Sequence, residues 1–203
     1  MILAVDTSLG TAVALVDDDG TLRAEAATTD PLGHAEVIGD LLADALAEAG
    51  AGEITHVVSG MGPGPFTGLR IGIAAARSFA MGRGVPVIPV PSHLAAALTH
   101  TGDGRFAIVT DARRREVAIT VFDGTDADGL PAVVAETTLV RAVDADAHLA
   151  GIRRIDVVTL SGADLARVGA LALAAQRTLT DDEPLYMRHP DVVVPGAPKK
   201  VGL

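Results

Sequence analysis

The sequence predicts an α/β protein made of two related halves, each a mixed sheet with flanking helices, and two internal repetitions carry that prediction. "ILAVDTSLGTAVALVDDDG" reads as a strand ending at Asp6, a turn, a second strand and an Asp-Gly turn. "FAIVTDARRREVAITVFDG" gives the same succession, its first strand ending at Asp111. In the same way, "ITHVVSGMGPGPFTGLRIGIAAA" and "IDVVTLSGADLARVGALALAA" share strand, Ser-Gly and helix in one order. Hairpins recur by chance, but four elements matching in order favour duplication. The expected halves are 1–100 and a smaller 101–203 that ends in an extended tail, each in the order βββαβα.

Element by element, the first half opens with a three-strand meander broken at Ser8 to Gly10 and at "DDDG". A helix is expected from His34 to Ala49, because Val37, Ile38, Leu41, Leu42, Ala45 and Leu46 recur at helical spacing and Gly50 stops it. "ITHVVS" is a buried-type strand. The glycine-rich turn after it starts a second helix, with Thr67 as the expected N-cap. "VPVIPV" is a further strand and leads into a short helix from Ser92.

Composition narrows the function. At 203 residues, 49% hydrophobic and 21% charged, the chain has the profile of a globular protein. Met1 leads directly into a strand pattern and the apolar runs are short, so no membrane segment and a cytoplasmic location are expected. The absence of cysteine removes disulfides, thiolate metal sites and cysteine nucleophiles. A net charge of −10 argues against capture of nucleic acid by the chain as a whole. Its only lysines, Lys199 and Lys200, lie in the tail "VVVPGAPKK".

The segment "SGMGPGPFTGLRIGIAAA" has the look of a phosphate loop but not its chemistry. A Walker loop needs a lysine at its end, and the nearest is Lys199. The dinucleotide pattern fails as well, since Gly62 and Gly64 are followed by Thr67 where a third glycine belongs. Pro63 and Pro65 supply no N–H to an anion. What remains is a rigid strand-to-helix turn followed by small residues on one face, Gly68, Gly72, Ala75 and Ala76. The helix from His34 shows a comparable stripe, Ala35, Gly39 and Ala43, beside Leu42 and Leu46. These surfaces suit either a helical subunit interface or close packing inside the chain.

Asp6 and Asp111 each end a strand, where a carboxylate holds a water or Mg²⁺ between two domains; equally, Asp6 caps its own turn. Folds with such aspartates include actin-like ATPases, sugar kinases and ribonuclease H-like nucleases. Histidines 34, 56, 93, 100, 148 and 189 form no pair at ligand spacing, so no metal site is expected, and no Ser, His and Asp set emerges. Arg113, Arg114 and Arg115 make a basic turn, either simply solvated or in contact with an anionic partner.

In order along the chain, "ILAVDTS", "GMGPGPFTGLRIG", "TDARRREV" and "PLYMR" resemble the TsaB family of tRNA threonylcarbamoyladenosine biosynthesis proteins, once grouped with glycoproteases. The similarity spans essentially the whole chain, and its most specific residues are Gly62, Pro63, Gly64, Phe66, Thr67, Gly68 and Arg70. The resemblance implies an actin-like (ribonuclease H-like) fold of two duplicated domains, with Asp6, Thr7, Ser8 and Asp111 as a vestigial nucleotide site. It implies a non-catalytic subunit without cofactor. Such a subunit binds and activates TsaD, the paralogue that transfers the threonylcarbamoyl group to adenosine beside the anticodon, with TsaE, an ATPase, completing the assembly. Ala35, Gly39, Leu42, Ala43, Leu46, Gly68, Gly72, Ala75 and Ala76 would form the interface, homodimeric when the protein is alone, and tRNA would be reached only through the complex. Pro65 stands where the family usually has serine, and Arg115 where glycine is usual. The competing expectation is an independent actin-like ATPase, kinase or peptidase.

Overall fold

Strand β1 (Ile2–Asp6) is buried along its whole length, so each of its faces must meet apolar partners, and the chain supplies two layers to do so. Leu3 and Val5 point into one core with Ile38, Ala45, Val57, Ala76 and Ala80, whereas Ile2 and Ala4 point into another with Val58, Val90, Phe106, Ile108 and Leu165. The computed structural model describes residues 1–30, 33–102 and 104–187. The Lys199–Lys200 tail and Arg188 of "PLYMR" lie outside them.

Around β1 the first sheet is completed by β2 (Thr11–Val16), β3 (Leu22–Thr28), β4 (His56–Gly60) and β5 (Val87–Val90), in the order β3-β2-β1-β4-β5. The meander pairs antiparallel, while β1, β4 and β5 run parallel. Helices α1 (His34–Ala49) and α2 (Phe66–Arg83) cover one face. Gly50 at φ 71° and Gly84 at φ 68° end them, glycine adopting the left-handed region without a steric cost. After the short α3 (Ser92–Ala97), the second sheet forms from β6 (Arg105–Asp111), β7 (Glu116–Thr125), β8 (Pro131–Arg141) and β9 (Arg153–Asp156). Its order, β8-β7-β6-β9, repeats β3-β2-β1-β4 with the same strand directions. The fold is therefore the actin-like duplication that the resemblance implies.

α4 (Ala145–Leu149) covers the outer face of the second sheet over Val109, Ile119 and Val121. The last helix, α5 (Gly162–Ala174), capped by the Ser161 hydroxyl accepting from the Asp164 N–H, comes from the second half but lies on the first sheet. A Cβ on Gly162 would stand 3.0 Å from the Ala14 Cβ, and one on Gly169 would stand 2.3 Å from Val58 Cγ2, so glycine at both positions brings the helix close to the strands. The resulting layers are α1 and α2, first sheet, α3 with α5, second sheet, and α4. Among the described residues no helix is long and apolar enough to cross a membrane.

Candidate functional site

The end of β1, the turn after β4 and the start of α3 meet at one buried carboxylate. Asp6 is 1% exposed. Its Oδ1 accepts from the Ser8 N–H at 2.7 Å and the Ser8 hydroxyl at 2.5 Å, and its Oδ2 from the Ser92 hydroxyl at 2.5 Å. Ser92 in turn holds the glycine turn from both sides: its hydroxyl accepts from the Gly62 N–H at 3.0 Å, and its N–H donates to the Gly62 carbonyl at 2.7 Å. A Cβ at residue 60 would fall 1.8 Å from Asp6 Oδ2, and one at residue 64 would fall 2.8 Å from the Ser8 Cα. Gly60 and Gly64 therefore let the turn close directly over the aspartate. Burial pushes the Asp6 carboxyl above its ordinary range, opposed by the donors of Ser8 and Ser92 and by His34. The two bonds from Ser8 to Oδ1 match the turn-capping reading of Asp6.

Asp111 has a different environment. It is exposed, and its Oδ1 accepts from the Arg113 N–H at 3.1 Å in its own hairpin. The structure thus pairs Asp6 with Ser8 and Ser92 and leaves Asp111 to its own turn. Among the described residues no group of three or more His, Asp or Glu side chains is arranged to hold a metal ion.

Thr67 does not cap α2. Pro65 occupies the N-cap with extended backbone, its carbonyl accepts from the Leu69 N–H at 3.0 Å, and Thr67 is an exposed residue of the first turn. Proline suits this entry because its φ is fixed near the required value and no N–H is left over. The small stripe of α2 also faces inward. A Cβ on Gly72 would lie 2.2 Å from Thr7 Oγ1, and one on Gly68 would lie 2.9 Å from His34 Nε2, while the Thr7 hydroxyl donates to the Gly68 carbonyl at 2.7 Å. Gly68, Gly72 and Ala76 are buried by the chain itself. Ala35, Gly39 and Ala43 are exposed on α1, Leu42, Leu46 and Ala75 are half-buried, and a Cβ on Gly39 would meet nothing within 4 Å.

Two features escape sequence reasoning. The first is His93, fully buried, with Nδ1 2.7 Å from the Thr120 hydroxyl and Nε2 2.9 Å from that of Thr110; burial lowers its pKa from 6.5 to about 3. Thr120 continues to Thr137 at 2.7 Å, on the wall of a cavity of about 240 Å³ that Leu185 and Tyr186 also line. The second is a strap. Leu185 donates from its N–H to the Met61 carbonyl at 2.8 Å, Tyr186 packs on Phe66 at 4.7 Å between ring centroids, and Arg70 donates to the Tyr186 hydroxyl at 2.8 Å with its guanidinium 3.8 Å from the Phe66 ring centre. The glycine motif and the "PLYM" segment are one contact in space.

The basic turn is strained. Arg113, Arg114 and Arg115 have φ of 61°, 54° and 64°. The left-handed region costs an L-residue with a Cβ about 1–2 kcal/mol. At position 115, where the resemblance leads one to expect glycine, this is a conformation that glycine adopts without that cost. The turn is fastened by the Ala142 N–H donating to the Arg115 carbonyl at 2.8 Å.

With this geometry in hand, comparisons with known proteins are specific. The family model TsaD, tRNA N6-adenosine threonylcarbamoyltransferase, matches residues 31–153. An uncharacterized protein of Mycobacterium tuberculosis is 33% identical over 201 residues, covering 94% of this chain and 92% of its own. One of Mycobacterium leprae is 43% identical over 124 residues, 58% of this chain but 34% of that longer protein. The Escherichia coli tRNA threonylcarbamoyladenosine biosynthesis protein TsaB is 34% identical over 121 residues, 57% of this chain and 52% of its length. Among solved structures, a Pseudomonas aeruginosa protein with similarity to the peptidase YeaZ superposes with a TM-score of 0.74 at 24% identity, over 92% of this chain and 99% of that one, which shows the shared fold.

Proposed function

Because the chain belongs to the tRNA N6-adenosine threonylcarbamoyltransferase family and is a TsaB-type member of it, we propose that it serves tRNA threonylcarbamoyladenosine biosynthesis as a non-catalytic subunit that binds and activates a TsaD-type transferase. The observation that carries the non-catalytic reading is the state of Asp6. A carboxylate that activates water or holds Mg²⁺ must be open to it, and here Asp6 is 1% exposed, accepts from Ser8 and Ser92, and lies against the glycine turn so closely that a Cβ at residue 60 would collide with it. Asp6, Thr7 and Ser8 are a nucleotide site in ancestry only, and the same groups now brace the strand end against α2 and α3.

In this reading the described parts of the two halves form one support, since α5 of the second half packs on the sheet of the first. The docking face is the exposed stripe of α1, Ala35, Gly39 and Ala43, with Leu42, Leu46 and Ala75 at its margin. Gly68, Gly72 and Ala76 support it from beneath by seating α2 against Thr7. The same face closes a homodimer when the chain is alone, and a TsaE-type ATPase completes the working assembly. Gly39→Leu tests the face without disturbing the interior, because its side chain enters open space in the free chain. Overpacking costs about 1–3 kcal/mol, counted twice across a two-fold interface. The variant is expected to fold normally yet fail to co-purify with the transferase and to run as a monomer in light scattering; undiminished association would place the docking face elsewhere.

A further inference from the structure

The cavity of about 240 Å³ between β7, β8, α3 and the strap has no part in the function proposed above, and none of its described lining residues belongs to α1 or α2. Much of that lining is apolar, with Leu94, Phe122, Leu179 and Leu185 among it. An irregularity in β8 shapes the polar part. Ile119 pairs with Thr138 and Val121 with Ala135, so Glu136 and Thr137 together stand opposite the single residue Thr120. On a regular strand neighbouring side chains alternate between faces, and a bulge of one extra residue breaks the alternation, which brings both Glu136 and Thr137 into the lining of one cavity. Among the described residues Glu136 makes no hydrogen bond or ion pair. Buried His93 stays neutral, its pKa lowered to about 3, so Glu136 supplies the one charge of the described lining. Arg70 bonds the Tyr186 hydroxyl and lies over Phe66, outside that lining.

We propose that this cavity binds a small organic amine, an apolar ring or short branched chain carrying one primary ammonium group. The apolar part packs on Leu94, Phe122, Leu179 and Leu185, and the ammonium donates to the Glu136 carboxylate and the Thr137 hydroxyl. At about 240 Å³ the site falls short of the roughly 300–1,000 Å³ that hold drug-sized molecules, which limits the ligand to about one ring. The row of groups behind Thr137 suits a donor. Thr137, accepting from the ammonium, donates to Thr120 at 2.7 Å; Thr120 donates to His93 Nδ1 at 2.7 Å; and the Nε2–H donates to Thr110 at 2.9 Å. In that arrangement Thr137 and Thr120 each accept one proton and give one, and the imidazole keeps a single tautomer.

The test titrates the full chain with phenethylamine, ethylbenzene and hydrocinnamate, which share a ring and differ in the head group, by calorimetry and by NMR of the His93 ring nitrogens. Phenethylamine is expected to bind saturably with a Kd of about 1 mM or tighter, ahead of ethylbenzene, with hydrocinnamate weakest. In the amine-bound protein His93 should carry its proton on Nε2. Glu136→Gln, at an exposed position, should weaken the amine about three- to tenfold and leave ethylbenzene unchanged. Val133→Trp, from an exposed strand residue that lines the cavity, should abolish binding of both, with a thermal melt to show that it is folded. Should that variant not fold, Glu136→Gln and the His93 tautomer still decide. The proposal is overturned if phenethylamine shows no saturable binding up to about 10 mM, or if the three probes bind alike. It is equally overturned by amine binding that Glu136→Gln leaves intact, or by an amine-bound state with the His93 proton on Nδ1.

Discussion

Gly72→Ala probes the seating of α2 on the strand end most sharply. The added methyl would sit 2.2 Å from Thr7 Oγ1 and 2.9 Å from its Cγ2. Thr7 cannot yield easily, being 1% exposed and fixed by its hydrogen bond to the Gly68 carbonyl. Against the change stand about 1–3 kcal/mol of overpacking and about 1 kcal/mol for the strained hydrogen bond; in its favour stands about 1 kcal/mol of helix propensity. The clash wins, leaving a net loss of about 1–3 kcal/mol. For a chain of this size each kcal/mol lowers Tm by about 2–4 °C. Gly39→Ala, into open space on α1, has only the propensity term and should stabilise by up to about 1 kcal/mol. Thermal and denaturant melts of both variants, with Thr7→Ala alone and combined with Gly72→Ala, complete the test. The double variant should recover about 1–2 kcal/mol relative to the sum of the singles. A Gly72→Ala protein as stable as its parent, or strict additivity with Thr7→Ala, would refute the packing argument.

Three further predictions follow from the same geometry. Arg115→Gly, relieving one left-handed arginine at φ 64°, should raise stability by about 1 kcal/mol in urea melts, the relief outweighing the entropy glycine adds to the unfolded chain. Acid should destabilise the protein through His93, whose folded pKa of about 3 lies below the unfolded 6.5: the unfolded chain binds the extra proton as pH falls through that window, so stability drops from pH 6.5 downward, and His93→Gln should flatten the Tm profile there. Asp6 acts in the opposite sense, since its raised folded pKa means the native state holds a proton longer. Its contribution to stability falls as pH rises from 3.8 through the folded value, a slope that Asp6→Asn should remove.

Local pattern was enough for the elements whose signals are local. The apolar spacing of α1 and its Gly50 stop give bounds that the structure reproduces, and the repeated strand-Asp-turn-strand pattern anticipates two sheets of matching order. The site was legible only in part. Gly68 and Gly72 announce a close approach, but what approaches is the Thr7 turn from far earlier in the chain, and spacing alone cannot distinguish that from a partner helix. His93 shows no signal, because its partners Thr110 and Thr120 are ordinary strand residues until the second sheet folds over α3. Proline at 65 takes the N-cap of α2 two residues ahead of the expected Thr67, its rigid φ outweighing the hydroxyl's preference.

The central claim is that this chain enables a transferase without performing the chemistry. Reconstitution decides it most directly: tRNA transcript and threonylcarbamoyl-adenylate are incubated with the TsaD-type transferase and TsaE-type ATPase, with and without this chain, and modified adenosine is quantified by mass spectrometry of the digested RNA. The account predicts no product from this chain alone, little from the transferase and ATPase without it, and abundant product from the three together, unchanged in rank when Asp6 is replaced by asparagine in a folded protein. Equal product with and without the chain would contradict the account, as would modification of tRNA by the chain on its own.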